Sequence, residues 1–102
     1  MIKEINTEEF DSLDKRGSMM VEFFSRQCGP CKMLSFVLRD IDKLKPEFNI
    51  YTIDFDANQS LKERLGVTGF PTMVLMKDGE EVNRLKGLKQ KPAIIKAIEE
   101  II

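Results

Sequence analysis

Apolar and polar positions along the chain fall into blocks whose period switches between strand and helix. Ile2–Ile5 reads as a short first strand. Asn6 and Glu9 have the spacing of a capping box, in which an N-cap side chain and an acid at the third helical position satisfy free N–H groups. A helix over Glu8–Lys15 follows, ended by Gly17. Met19–Ser25 is an apolar run broken only by Glu22, and such runs form central strands covered on both faces. After Cys28, the residues Met33, Leu34, Val37, Leu38, Ile41 and Leu44 make one stripe at helical period, which Pro46 stops. Ile50–Phe55 is the next strand, Asp56-Ala57-Asn58 a turn, and Ser60–Leu65 a short helix closed by Gly66. Thr72–Lys77 and Glu81–Lys86 are strands joined at Asp78-Gly79, a strong hairpin signal. Pro92 takes the first position of a last helix whose Ile94, Ile98 and Ile101 share a face.

The element order is therefore βαβαβαββα. Strand–helix–strand crossovers imply parallel pairing with right-handed connections, and the closing hairpin adds antiparallel strands. The expected architecture is α/β, a mixed central sheet with helices on both faces. No repeat, linker or low-complexity tract interrupts the 102 residues, so 1–102 reads as one domain.

Composition narrows the function classes. With 42% hydrophobic residues, a core can form without metal or disulfide staples. Sixteen basic against seventeen acidic residues leave a net charge of -1, which gives no electrostatic reason to expect nucleic acid or an anionic membrane. The start Met1–Asn6 lacks the apolar stretch of a signal peptide, and no apolar run is long enough for a bilayer. The expected location is the reducing cytoplasm, and nothing demands more than a monomer.

Two cysteines in such a compartment are unusual as a permanent staple. They lie three residues apart, and a bridge that short constrains almost no unfolded loop, which points to chemistry as their purpose. Cys28-Gly29-Pro30-Cys31 sits where a central strand ends and a helix begins. There the first helical N–H groups are unpaired and the helix dipole favours negative charge, so a thiolate is stabilised. Gly29 permits a tight entry, and Pro30 stiffens the turn without wasting an N–H. Cys28, the outer thiol, attacks a substrate disulfide; Cys31 then attacks Cys28 and releases the product. Cys31 must lose a proton in that step. Glu22, alternating to the face opposite Val21 and Phe23, is the expected general acid/base, with burial raising its pKa. The competing reading makes Glu22 a solvated edge residue. The absence of His excludes histidine bases and Cys–His pairs. It also leaves zinc short of four ligands unless two chains share their motifs, so no metal is expected. Met19, Met20, Met33, Met73 and Met76 read as core filler rather than ligands.

Around Cys28-Gly29-Pro30-Cys31-Lys32-Met33 the chain resembles the thioredoxin family. Val21-Glu22-Phe23-Phe24 is similar to the family's strand before the active site, and Gly69-Phe70-Pro71-Thr72 to its cis-proline loop. Asp78-Gly79 matches its hairpin and Gly87 the glycine beyond its last strand. The resemblance runs from Ile2 to Ile102 in order and spacing, and it implies the thioredoxin fold. It also implies Cys28 as nucleophile, Cys31 as resolving thiol, and a cis bond between Phe70 and Pro71. The backbone of Phe70 would pair with an extended substrate segment. Gly69 and Gly87 would keep the surface flat, with Gln27, Gly29 and Pro30 completing the substrate-binding surface. The implied partners are disulfide-containing proteins and a thioredoxin reductase, NADPH- or ferredoxin-linked. No cofactor beyond the redox-active cysteine pair is implied.

Departures from the family pattern are specific. Gln27 stands where the family usually has Trp, which removes an aromatic surface. Glu22 is one methylene longer than the usual Asp. Phe24 replaces a usual Trp, Phe36 a mid-helix proline, and Thr52 a lysine that neighbours the buried acid. Loss of that lysine favours a raised Glu22 pKa. Two other functions stay open on sequence. One is a disulfide oxidase or isomerase, which the Gly-Pro dipeptide disfavours. The other is a non-catalytic binding module, which has no need of both cysteines.

Overall fold

The computed structural model describes residues 1–102. The elements are β1 (Ile2–Glu4), α1 (Thr7–Ser12), β2 (Ser18–Phe24), α2 (Gly29–Leu44), β3 (Asn49–Asp54), α3 (Gln59–Arg64), β4 (Thr72–Lys77), β5 (Glu80–Lys86) and α4 (Lys91–Glu99). They form one five-stranded sheet in the order β1-β3-β2-β4-β5. β1 and β2 run parallel to β3, while β4 is antiparallel to both β2 and β5. This is the mixed sheet expected from the element order, and β2, which carries Glu22, lies at its centre.

Strand alternation divides the core in two. Met20, Ile50, Met73 and Leu75 face α2 and α4, meeting Leu34, Leu38, Ile41, Ile94 and Ile98. Val21, Phe23, Tyr51, Ile53 and Val74 face the other way, against Phe10 of α1 and Leu61 of α3. Each buried aliphatic or aromatic side chain contributes about 1.5–3 kcal/mol. Both faces of the sheet are therefore covered, and the apolar run of β2 is explained by burial on both sides. No helix is long and apolar enough to cross a membrane.

Three local expectations are corrected. The helix expected to reach Lys15 stops at Ser12, because Leu13 turns extended (φ −66°, ψ 143°) and Lys15 Nζ reaches back to donate to the Phe10 carbonyl at 2.7 Å. Gly17 does not end that helix. With φ of 79° it opens β2, and its N–H donates to Asp78 Oδ1 at 2.9 Å, tying the strand to the β4–β5 turn. Pro92 is the second residue of α4, not the first, since Gln90 is the N-cap; the second helical N–H is equally without an intrahelical acceptor. The capping box is present as read, with Glu9 N–H donating to Asn6 Oδ1 at 2.9 Å and Asn6 N–H to Glu9 Oε1 at 3.0 Å. The Asp78-Gly79 turn has φ of 52° and 84°, the left-handed pair that a tight hairpin requires.

Candidate active site

β2 ends at Phe24, and the chain crosses Ser25, Arg26 and Gln27 before α2 begins. The Ser25 hydroxyl donates to Asp56 at 2.8 Å and so ties this crossing to the turn after β3. Arg26 bridges Glu4 at 2.5 Å and Asp54 at 3.3 Å, drawing the ends of β1 and β3 together. Cys28 is the N-cap of α2, with extended backbone (φ −113°, ψ 111°). Its Sγ accepts the Cys31 N–H at 3.1 Å, so the sulfur occupies the place of a capping oxygen. Gly29, Pro30 and Cys31 are the first three helical residues, and α2 then runs unbroken to Leu44, with Phe36 in its middle half exposed to solvent. The one-turn spacing brings the cysteine Cα atoms to 5.2 Å, and the two sulfurs are joined as a disulfide. Cys31 is buried, and Cys28 is partly exposed.

Glu22 lies on the sheet face covered by α2, paired in register with Thr52 of β3 and Met73 of β4. Only 4% of it is exposed. Its Oε2 makes no hydrogen bond, and burial among apolar neighbours pushes its pKa from 4.5 to about 8. The solvated-edge reading of Glu22 is therefore excluded by its burial. A cavity of about 500 Å³ is lined by Glu22, Cys28 and Cys31 among other residues, so the carboxyl-bearing residue and the cysteines border a single space.

The match to the family model for thioredoxin covers residues 1–100. The chain belongs to the thioredoxin family. It is 37% identical over 100 residues to a thioredoxin of Chlamydia caviae, covering 98% of each chain. It is 34% identical to a thioredoxin of Bacillus subtilis over 91% of this chain and 90% of that one. Among solved structures, Fasciola hepatica thioredoxin superposes with a TM-score of 0.88 at 28% identity over the whole of both chains. A mutant thioredoxin from Halobacterium salinarum gives 0.85 at 33% identity, over 99% of this chain and 88% of that one. The fold is the thioredoxin fold, and the disulfide at its C-x-x-C site makes the chain a thiol–disulfide oxidoreductase.

The remaining residues singled out from sequence fall into two groups, one around the cis-proline before β4 and one in the disulfide loop of this thioredoxin fold. The Phe70–Pro71 bond is cis, and Pro71 directly precedes β4. Its carbonyl accepts the Gly87 N–H at 2.8 Å, and the Gly69 carbonyl accepts the Thr72 hydroxyl at 2.8 Å, so Gly69, Pro71 and Gly87 belong to one hydrogen-bonded unit. Gly87 has φ of 82°, a conformation that favours glycine. Phe70 is 42% exposed, and its amide and carbonyl take part in no backbone hydrogen bond of the chain. Gln27, Gly29 and Pro30 are exposed. None of these residues lines the Glu22 cavity.

Sequence reasoning missed several groups here. The Phe70 ring packs edge-on against Phe55 at 5.1 Å between centroids, from a different loop. Lys32, Ser35 and Arg39 of α2 line the cavity over Glu22. Their spacing of three and seven places them on one stripe of the helix. That stripe is legible in sequence, but what it faces is not.

Proposed function

We propose that this thioredoxin-family oxidoreductase reduces protein disulfides, with Cys28 as nucleophile, Cys31 as resolving thiol and Glu22 as the general acid/base for Cys31. The observation that carries the reading is Cys28 at the N-cap of α2, its sulfur accepting the Cys31 N–H at 3.1 Å. A donor aimed at that sulfur, together with the positive end of a helix dipole, favours its thiolate form.

The reduced chain presents the Cys28 thiolate to a substrate disulfide. The thiolate forms a bond to one sulfur, and the substrate S–S bond breaks. The departing sulfur leaves as thiolate and takes a proton from water. Cys31 gives its proton to the Glu22 carboxylate and attacks Cys28 Sγ. The mixed disulfide breaks, the second substrate thiol leaves, and the Cys28–Cys31 disulfide remains. Two electrons have moved from the chain to the substrate. The strip at Gly69, Phe70 and Gly87, with Phe70 exposed and its backbone groups unused, supports docking of an extended substrate segment by strand addition. Gln27, Gly29 and Pro30, exposed in the disulfide loop, are assigned to the same substrate-binding surface, with Pro71 holding the shape of the strip.

A thioredoxin reductase, NADPH- or ferredoxin-linked, returns the disulfide to the dithiol. The cysteine pair is itself the redox group, with no metal or further cofactor. The chain works as a monomer in the cytoplasm as one domain. Trapping tests the assignment. Cys31→Ser is expected to accumulate a mixed disulfide between Cys28 and substrate protein, seen as an adduct mass that a thiol reductant removes. An adduct on Cys31 in the Cys28→Ser variant, with none on Cys28 in Cys31→Ser, would reverse the two roles.

A further inference from the structure

The cavity beside the disulfide is larger than a proton relay requires. Its volume of about 500 Å³ falls in the range of small-molecule sites rather than that of one water. A smaller hollow of about 220 Å³ adjoins it, and the two share Glu4, Glu22, Ser35, Arg39 and Thr52 in their walls. Together they form a groove from the cysteines to β1, with α2 on one side and the sheet beneath.

The charges around this groove are unbalanced. Lys32 and Arg39 are exposed and enter no ion pair. The acids nearby are already occupied. Glu4 and Asp54 hold Arg26, Asp40 holds Lys91 and Asp42 holds the N-terminal amine. Burial raises the Glu22 pKa to about 8, so at neutral pH most of it is uncharged and only a minor fraction is the carboxylate that takes the Cys31 proton. Beside the cysteines the groove therefore offers two uncompensated cations on α2 and a redox-active sulfur pair, while Lys3, exposed and also outside any ion pair, lines only the smaller hollow at the β1 end. Along the helix axis, Lys32 lies about 6 Å and Arg39 about 16 Å from Cys28, at roughly 1.5 Å per residue. Their long side chains bridge the interval between.

We propose that this groove binds small carboxylate-bearing disulfides, carboxylates toward Lys32 and Arg39, and that the chain reduces them at Cys28. The proposal rests on the dithiol chemistry above and extends it to a second substrate class. The Cys28 thiolate bonds to one sulfur of the small disulfide, and the first thiolate leaves and takes a proton from water. Cys31 then gives up its proton, closes on Cys28 and expels the second thiolate, which takes up a proton in turn. One dithiol and one small disulfide give one protein disulfide and two small thiols.

The test uses the full chain, fully reduced, and three disulfides of similar length. They are 3,3′-dithiodipropionate (anionic), 2-hydroxyethyl disulfide (neutral) and cystamine (cationic). Oxidation of the chain is followed by alkylation and mass, with insulin as the protein substrate. The anionic probe is expected to react about tenfold faster than the neutral one, with the cationic probe slowest, as two partly exposed charge pairs allow. In K32Q/R39Q the anionic-to-neutral ratio is expected to fall to about one. In K43Q/K96Q, which loses the same charge elsewhere, the ratio is expected to stay as in the unsubstituted chain. Taking the ratio cancels any change in thiol reactivity. A ratio near one in the unsubstituted chain, one that survives K32Q/R39Q, or one lost equally in K43Q/K96Q would overturn the proposal while insulin is still reduced. Failure to reduce insulin and all three probes would overturn the dithiol reading as well.

Discussion

On the sheet face beneath α2, two cross-strand rows lie two residues apart. One is Ile2–Ile50–Met20–Leu75, and the other is Glu4–Thr52–Glu22–Met73. The first is core: Ile50, Met20 and Leu75 are fully buried among Leu38, Ile41 and Ile98, with Ile2 packed against them. The second row lies toward the carboxyl ends of the parallel strands β1, β3 and β2, and a cavity stands over it. That end of a parallel sheet is where ligand crevices commonly open. The same strands and the same helix thus build a dry layer and, one step on, a polar chamber beside the disulfide. Three of the four side chains in that second row carry oxygen where the first row carries only hydrocarbon and a thioether. The first row belongs to the packed core, and the second lies under the chamber beside the disulfide.

The largest effect expected from breaking this contrast is at Glu22. Glu22→Gln keeps the shape and removes the titrating proton acceptor. Resolution of the mixed disulfide is expected to slow by about 10²–10⁴-fold, the ordinary worth of a positioned acid or base. Quenched-flow alkylation measures it. The same variant is expected to be more stable at high pH. The folded-state value of about 8 lies above the ordinary 4.5, so the folded chain keeps a proton that the unfolded chain has released. The stability this gives is fully present below about 4.5, falls as pH rises through the window and levels off above about 8. At about 1.4 kcal/mol per pH unit the loss reaches at most roughly 5 kcal/mol. Urea unfolding of the oxidised chain at pH 5 and pH 9 is expected to show Glu22→Gln gaining over the unsubstituted chain only at the higher pH. Equal gains at both would mean that Glu22 ionises normally.

A smaller expected effect lies in the dry row. Ile50→Ala empties a fully buried site and is expected to cost about 2–5 kcal/mol of stability. Its rate of insulin reduction under folding conditions is expected to stay within about twofold, because Ile50 lines none of the described cavities. A rate loss approaching that of Glu22→Gln would mean that the two rows are not separable.

The dry row was legible in sequence because strand alternation and the helical stripe of α2 each mark buried positions independently. Glu22 was legible for a related reason: one carboxylate stands inside an otherwise apolar run, just ahead of Cys28. The groove was not legible. Glu4, Thr52, Ser35 and Arg39 come from three elements, and only the β1–β3 register and the seating of α2 bring them together. Neither register nor seating has a local signal. The same is true of Phe55 beside Phe70, and of Lys15 ending α1 by reaching back to Phe10, where propensity alone would have continued the helix.

Everything above depends on Cys28 and Cys31 cycling as one two-electron pair. A redox titration of the chain against a thiol buffer, read by mass after alkylation, tests this most directly. The expected result is a single two-electron transition with a midpoint close to the thioredoxin value of about −270 mV. A midpoint above about −200 mV would mark an oxidant or isomerase instead, and no two-electron transition at all would contradict the dithiol function itself.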